Sequence, residues 1–351
     1  MTVDSLGFLD AVAGLPEQLA HAHEIAGEVH ADRFPRGDVI RNVVVLGMGG
    51  SGIVGDVVAA AFNDELPVPI TVLKQIRTPA FVGPETLAIA VSYSGDTEET
   101  VSMASSAVER DAQLVAISCG GRLAEVAHDA GALHLPCPDG FMPRAAIGAL
   151  VAPLLVTLFR TGLAPGAHAN LVTAQVQLAH RRDRCVPTVM GAANPARELA
   201  RRIGRTIPMI YGGGALGGAA AYRWKCDMNE NAKSPAFWNQ YPELDHNEIC
   251  GWGQHGDVTR QLISLVELRH GFEHKRLQPR FDVTREIIGE CVHQVLEVQA
   301  EGDGRLAQLL DLMYVGDWTS SYLALLNDVD PGPIDAISGL KHRLAQANEA
   351  D

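Results

Sequence analysis

A strand that runs into glycines and then into a helix occurs twice in this chain, and it constrains the fold more than any other feature. The first copy is the apolar run Val43, Val44, Val45, Leu46 followed by Gly47-Met48-Gly49-Gly50-Ser51-Gly52. The second is residues 207–211 followed by Gly212, Gly213, Gly214 and an alanine-rich helical segment. A short, wholly apolar run fits a parallel strand buried on both faces. The glycines give the chain a tight turn and let backbone or ligand approach closely. Two such units predict an α/β chain with a duplicated organisation.

Further short strands are expected at Ile70–Leu73 and at residues 87–92, 114–118 and 133–135, with helix-length segments between several of them. Residues 6–29 repeat at helical spacing, and 145–161 reads as a long apolar helix. Residues 162–169 have the glycine, proline and alanine content of a linker. Past it lie strands at 262–268 and 292–298, a helix at 306–326 interrupted only by Gly316, and a solvated helix end at the C-terminus. At 351 residues the chain is long enough for two cores. The predicted fold is two α/β domains, 1–163 and 170–351, each a parallel sheet flanked by helices in a flavodoxin-like three-layer sandwich.

Composition removes several classes of function. A net charge of -14 argues against a nucleic-acid surface, which needs clustered lysine and arginine. An anionic ligand must then find a locally positive site. The six cysteines, Cys119, Cys137, Cys185, Cys226, Cys250 and Cys291, lie far apart with no CxxC pair, so reduced thiols are expected rather than a zinc site or disulfide framework. Asp4 and Asp10 stand where an export signal carries basic residues, and the longest apolar run, residues 145–159, falls short of the ~20 needed to cross a bilayer. A cytoplasmic protein without a membrane span is the expectation.

The first glycine loop satisfies the GxGxxG spacing of a dinucleotide-binding turn, which alone is a weak signal. Such a turn also wants an acidic residue at the end of the second strand to hold ribose hydroxyls. Here that strand ends at Lys74, a cation. The loop after the next strand, Ser92-Tyr93-Ser94-Gly95-Asp96-Thr97-Glu98-Glu99-Thr100, offers hydroxyls followed by a helix start. Helix N-termini carry unpaired N–H groups with partial positive charge, so an acidic protein is able to bind a phosphate monoester there. Taken alone, Ser94 or Thr97 reads equally well as a helix N-cap with Glu98 or Glu99 as its capping-box partner.

The motifs GMGGSGIVGD (47–56), SYSGDTEET (92–100), Pro143-Arg144, NENAKSPA (229–236) and PELDHNEICGW (242–252) resemble the sugar-isomerase (SIS) domain family. More closely, they are similar to its bifunctional phosphoglucose/phosphomannose isomerases, over nearly the whole chain. The resemblance implies phosphate ligands at Ser51, Ser92, Ser94 and Thr97, with Gly49 and Gly50 giving close backbone approach. It implies Arg144 beside the reacting carbons, Glu230 as the base, His246 as the residue that helps open the sugar ring, and Lys341 as a C-terminal lysine reaching the site. It also implies a homodimer in which His246 comes from the partner subunit. One departure is Gly332 in Asp330-Pro331-Gly332-Pro333, where relatives often carry threonine; a hydroxyl lost near the sugar bears on acceptance of mannose 6-phosphate.

The chemistry suits these residue types. Aldose-ketose interconversion moves a proton between adjacent carbons through an enediolate, which one carboxylate is able to do. A fixed guanidinium stabilises the developing oxyanion, and histidine, with Lys341, handles the proton transfers of ring opening. Neither a redox cofactor nor a metal is called for, and the histidine spacings match no zinc motif. The alternatives are a phosphosugar-binding regulator without turnover, an isomerase of another phosphosugar and, on the glycine loop alone, a nicotinamide dehydrogenase. Read without the resemblance, Glu230, His246, Arg144 and Lys341 each fit an ordinary solvated or ion-paired surface position.

Overall fold

The structure, a computed structural model, describes residues 4–348. In the first half the strands are β1 (Asn42–Leu46), β2 (Ile70–Leu73), β3 (Thr86–Val91), β4 (Gln113–Ser118) and β5 (Leu133–Pro136), and the helices are α1 (Phe8–Ala13), α2 (Leu15–Glu28), α3 (Gly49–Phe62), α4 (Glu98–Val108), α5 (Gly121–Asp129) and α6 (Ile147–Arg160). The sheet is parallel throughout, with strand order β2-β1-β3-β4-β5. Alternate residues face opposite sides. Val44, Leu46, Ala88 and Ala90 pack on α4 and α5, whereas Val43, Val45, Leu87 and Ile89 pack toward α2, α3 and α6.

The second half repeats this plan. After α7 (Ala167–Cys185) and α8 (Pro195–Ile203) come β6 (Ile207–Gly213), α9 (Gly214–Glu230), β7 (Phe237–Tyr241), α10 (Gly256–Leu262), β8 (Ile263–Arg269), α11 (Gln278–Ile288), β9 (Gln294–Gln299), α12 (Arg305–Leu326) and α13 (Asp335–Asn348). The order β7-β6-β8-β9, again all parallel, is that of the first sheet without its last strand. One apolar core runs from the α2–α3–α6 side of the first sheet, through α7, α8, α9 and α12, to the inner face of the second sheet. A smaller cluster of Tyr211, Tyr241, Leu265, Phe281 and Ile288 lies beneath α11 on the outer face. Among the described residues no helix is long and apolar enough to cross a membrane.

Two local expectations change and one strand is added. The helical stretch over residues 6–29 is two helices broken at Gly14, because Pro16 has no N–H and its ring would clash with the carbonyl of Val12 in a continuous helix. Strand β7 was not expected at all: it is a short edge strand whose Phe237 and Trp238 are exposed, so no buried periodicity marks it. Residues 162–169 are not a free linker, since Leu163 and Ala164 are buried and α7 starts at Ala167.

Gly316 interrupts the sequence pattern of α12 without interrupting the helix. A Cβ there would lie 2.6 Å from the Trp224 indole, a ring buried at the α9–α12 contact whose Nε1 donates to Leu312 O at 2.7 Å. The close approach of two helices, rather than a turn, explains the glycine. Gly316→Ala should therefore lower the stability of the protein by up to about 2 kcal/mol in urea unfolding, an overpacking cost of about 1–3 kcal/mol being offset in part by alanine's helix advantage of about 1 kcal/mol.

Candidate functional site

Strand order 2-1-3 places a crevice at the carboxyl ends of β1 and β3, where the connections depart to opposite faces of the sheet. Both expected phosphate loops lie there. Gly49, with φ 52°, opens α3 in a backbone conformation that glycine takes without strain. Ser51 is buried, and its Oγ accepts from the Tyr93 N–H at 3.1 Å, which joins the loop after β1 to the loop after β3. In that second loop the Ser92 hydroxyl donates to Thr97 Oγ1 at 2.9 Å, and Ser94 Oγ accepts from the Asp96 N–H at 3.2 Å. Thr97 occupies the N-cap position of α4, yet its side chain makes no capping bond. Nor does a side chain cap α3. The capping-box alternative is thus not realised, and the amide ends of both helices remain open to an anion.

The position where a dinucleotide fold keeps its ribose-binding acid is taken by Lys74. Its ammonium pairs with Asp56 of α3 and lies 4.3 Å from the centre of the Tyr222 ring. The corresponding crevice of the second sheet is filled from within. The Glu273 carboxylate accepts from Arg269 Nε at 2.9 Å and from the His270 N–H at 3.0 Å, and a Cβ on Gly213 would meet that carboxylate at 3.1 Å. His270 Nε2 bonds Gly213 O at 2.8 Å, and burial lowers its pKa, favouring the neutral imidazole as donor.

Arg144 connects the first crevice to the second half of the chain. The 3-10 turn Pro143–Ala145 packs on the glycine loop so closely that a Cβ on Gly50 would lie 3.1 Å from Pro143 O. Arg144 itself is buried, not paired with a surface acid. Its Nε donates to Asn231 Oδ1 at 2.9 Å, and its Nη2 to Pro331 O at 2.6 Å and Gly332 O at 2.5 Å. These bonds engage Nε and Nη2 and leave Nη1 for another acceptor. Burial lowers the Arg144 pKa, an effect that Glu230 and Asp227 oppose.

Behind Arg144 lies a second guanidinium. Arg223 Nη2 donates to Arg144 O and to Asp317 Oδ1, both at 2.7 Å, and stands 3.0 Å from Asp227 Oδ1. Burial works against the Arg223 charge, but Asp227 and Asp317 outweigh it and raise its pKa. Burial also pushes the Asp227 carboxyl well up; Arg223 pulls it down, and Asp317 adds to the rise. Asn231, the second partner of Arg144, donates through Nδ2 to Ser320 Oγ at 2.9 Å. The network ties the turn after β5 to α9, α12 and residues 331–332.

Glu230 is the last residue of α9 and is half-buried rather than buried. It lines a cavity of about 500 Å³ with Asn229, Lys233, Asp330, Pro333 and Asp335. Lys233, with φ 52°, donates from Nζ to Glu230 O at 2.8 Å and Pro331 O at 3.1 Å. Asn231 and Lys233 stand inside NENAKSPA but were not singled out from sequence, and Arg223, Asp227 and Asp317 carry no motif at all; burial is their only signal. Gly332 packs against Leu6, whose Cβ a side chain at 332 would meet at 2.9 Å, so glycine here lets the N-terminal segment close over the loop.

Two further expected site residues lie on the surface. His246 ends the 3-10 turn Glu243–His246 after β7, is exposed, and does not line the Glu230 cavity. That turn is held by Asp245, which accepts from Arg280 Nη1 at 3.0 Å and from the Thr284 hydroxyl at 2.9 Å. Lys341 lies on α13, is exposed, and likewise does not line the cavity. The structure brings together Gly49, Gly50, Ser51, Ser92, Ser94 and Thr97, and through Gly50 links them to Arg144, which borders Glu230 by way of Asn231.

Comparison with known proteins extends the geometry. Residues 39–156 match the SIS domain family, and residues 192–344 match the family described as bacterial phospho-glucose isomerase C-terminal SIS domain. A bifunctional phosphoglucose/phosphomannose isomerase of Caldicellulosiruptor bescii is 36% identical over 340 residues, spanning 97% of this chain and 99% of the relative. One of the same name from Thermoplasma acidophilum is 33% identical over 91% of this chain and 94% of its own. Among solved structures, a hypothetical protein from Thermus thermophilus has a TM-score of 0.69 at 17% identity, covering 98% of this chain and 91% of its own, a likeness of fold.

Replacing Arg144 by lysine keeps the charge but removes the planar fork that reaches Asn231 and two carbonyls at once. Arg144→Lys should cost about 1–3 kcal/mol. In hydrogen exchange, the amides of residues 330–340 should exchange faster while those of β1 and β3 stay unchanged.

Proposed function

The chain belongs to the family of bifunctional phosphoglucose/phosphomannose isomerases, and from that membership we propose that it interconverts glucose 6-phosphate and mannose 6-phosphate with fructose 6-phosphate through an enediolate. The observation that supports this reading is the chain of contacts through Gly50, Arg144 and Asn231, which links an uncapped pair of helix N-termini to the segment carrying Glu230.

In this mechanism the phosphate sits on Ser51, Ser92, Ser94 and Thr97 and on the amide ends of α3 and α4. Glu230, at the cavity wall, takes the proton from C2 and returns it to C1. Arg144, held by its bonds to Asn231 and residues 331–332, turns its remaining Nη1 edge to the enediolate oxygen, where a fixed charge acts without reorganising. Ring opening falls to His246, supplied by the partner subunit of a homodimer, with Lys341 as its helper. Supporting a shared site are the exposure of His246 on a turn braced by Asp245, and the exposed apolar stripe Ile337, Leu340, Leu344 on the helix that carries Lys341.

A coupled assay between fructose 6-phosphate and either aldose 6-phosphate tests the reaction directly. Glu230→Gln should lower kcat by about 10²–10⁴-fold with little change in KM; full activity in the variant removes Glu230 as base. Wild-type protein that binds these sugars and converts none is a sensor, not an isomerase. Ser94→Ala should weaken inhibition by a sugar-acid phosphate about 10-fold, the worth of one hydrogen bond to a charged group. Glu230→Gln and His246→Ala proteins, each inactive alone, should regain activity when mixed and allowed to exchange subunits; no recovery in an exchanged dimer means that His246 serves its own subunit.

A further inference from the structure

Cys119 and Cys137 are separated by 18 residues, and the fold brings their sulfurs to 3.4 Å. They are the residues next after the last register pair of β4 and β5, Ser118 with Pro136, and the Cys137 N–H continues that ladder by donating to Ser118 O at 3.1 Å. Adjacent strands run about 4.8 Å apart, which lies within the Cα separations that a disulfide bridges. Both thiols are free. Contacting sulfurs on paired strand ends need only side-chain rotation to reach the bonding distance of about 2.05 Å.

The pair borders the loop after β3. The Cys119 N–H donates to Tyr93 O at 2.9 Å. The Tyr93 hydroxyl donates to Pro138 O at 3.1 Å and accepts from the Phe141 N–H at 2.9 Å. Cys119 Sγ also contacts Pro138 O at 3.6 Å. Tyr93 stands between Ser92 and Ser94, so the segment holding the two thiols is the bed on which the hydroxyl-rich loop lies. A second close pair, His23 Nε2 and His168 Nδ1 at 3.0 Å, lies on the far helices α2 and α7, and among the described residues it has no third ligand.

We propose that Cys119 and Cys137 form an oxidative modification site that takes a hydroperoxide and closes to an intramolecular disulfide beneath the loop of residues 92–97. Cys119 is partly exposed and meets the oxidant first, whereas Cys137 is buried. The Cys119 thiolate attacks the peroxide: an S–O bond forms, the O–O bond breaks, and the leaving oxygen takes a proton, giving a sulfenic acid and water or an alcohol. The Cys137 sulfur then displaces that hydroxyl, forming the S–S bond and breaking S–O, and its proton leaves with the hydroxide as water. Two thiols lose two electrons, and the peroxide gains them. Burial raises the Cys137 pKa, in keeping with its part as the second, resolving thiol.

The test is independent of the isomerase reading, because it follows sulfur rather than turnover. Protein carrying Cys250→Ser, which removes the exposed thiol, is treated with hydrogen peroxide, alkylated, digested and weighed. The expected product has two fewer alkylatable thiols and a cross-linked 119–137 peptide pair that dithiothreitol separates. With Cys137→Ser added, Cys119 should instead stop at a sulfenic or sulfinic acid. The proposal is overturned if both thiols remain alkylatable at peroxide doses that oxidise Cys250 in the parent protein. It is equally overturned if Cys119 goes to sulfinic acid while Cys137 stays free.

Discussion

The buried pair Arg144 and Arg223 is the interaction on which the site depends. Taking a guanidinium out of water costs several kcal/mol unless charge and hydrogen bonds replace the lost solvation. Here the replacements come from both halves of the chain: Asn231, Pro331 and Gly332 for Arg144, and Asp227, Asp317 and the Arg144 carbonyl for Arg223. Neither half satisfies these groups alone. The turn after β5 is thereby fixed to α9 and α12, and with it the distance between the glycine loop, through Gly50, and Glu230. Such a network loses its advantage if one member is removed, since the remaining charge is then buried without a partner.

The two sheets share a strand order but not a use. At the first switch point the helix ends are uncapped and the hydroxyl-bearing side chains of Ser94 and Thr97 reach the surface, while Ser92 is buried against Thr97. At the second, Glu273 lies against Gly213, held by Arg269 and His270, so the protein's own carboxylate stands where an anion would go. Duplication thus supplied two crevices, and one was closed by a side chain four residues past a strand end. The second half contributes instead through the other end of α9, which delivers Glu230 and Asn231, and through residues 331–332.

Much of this was legible in the sequence. The apolar runs of β1, β3, β4 and β6 announce themselves because strands buried on both faces favour apolar side chains, and β8 keeps such a run around its buried Ser264, Glu267 and Arg269. The glycine and Ser-rich loops were legible because turns and helix starts use backbone properties of single residues. Strand β7 was not, since an exposed edge strand is held by its hydrogen bonds to β6 and needs no periodic pattern. The break at Gly14 is hidden because apolar spacing carries on across it; the steric demand of Pro16 decides there. Gly316 looked like an interruption, yet it serves a helix contact with Trp224, a residue far away in the chain.

By itself the sequence determined the strand–glycine–helix units, their repetition, the parallel α/β class and the hydroxyl-bearing loops. Each of these follows from periodicity or from the conformational freedom of neighbouring residues. Only the tertiary structure decided that Arg144 is buried against residues 331–332 and that Arg223 stands behind it. It also decided that Lys74 is paired with Asp56, that His246 and Lys341 are exposed and do not line the Glu230 cavity of their own chain, and that two distant cysteines touch. These are relations between side chains far apart in sequence. They are set by how sheets and helices pack, and no local pattern carries that information.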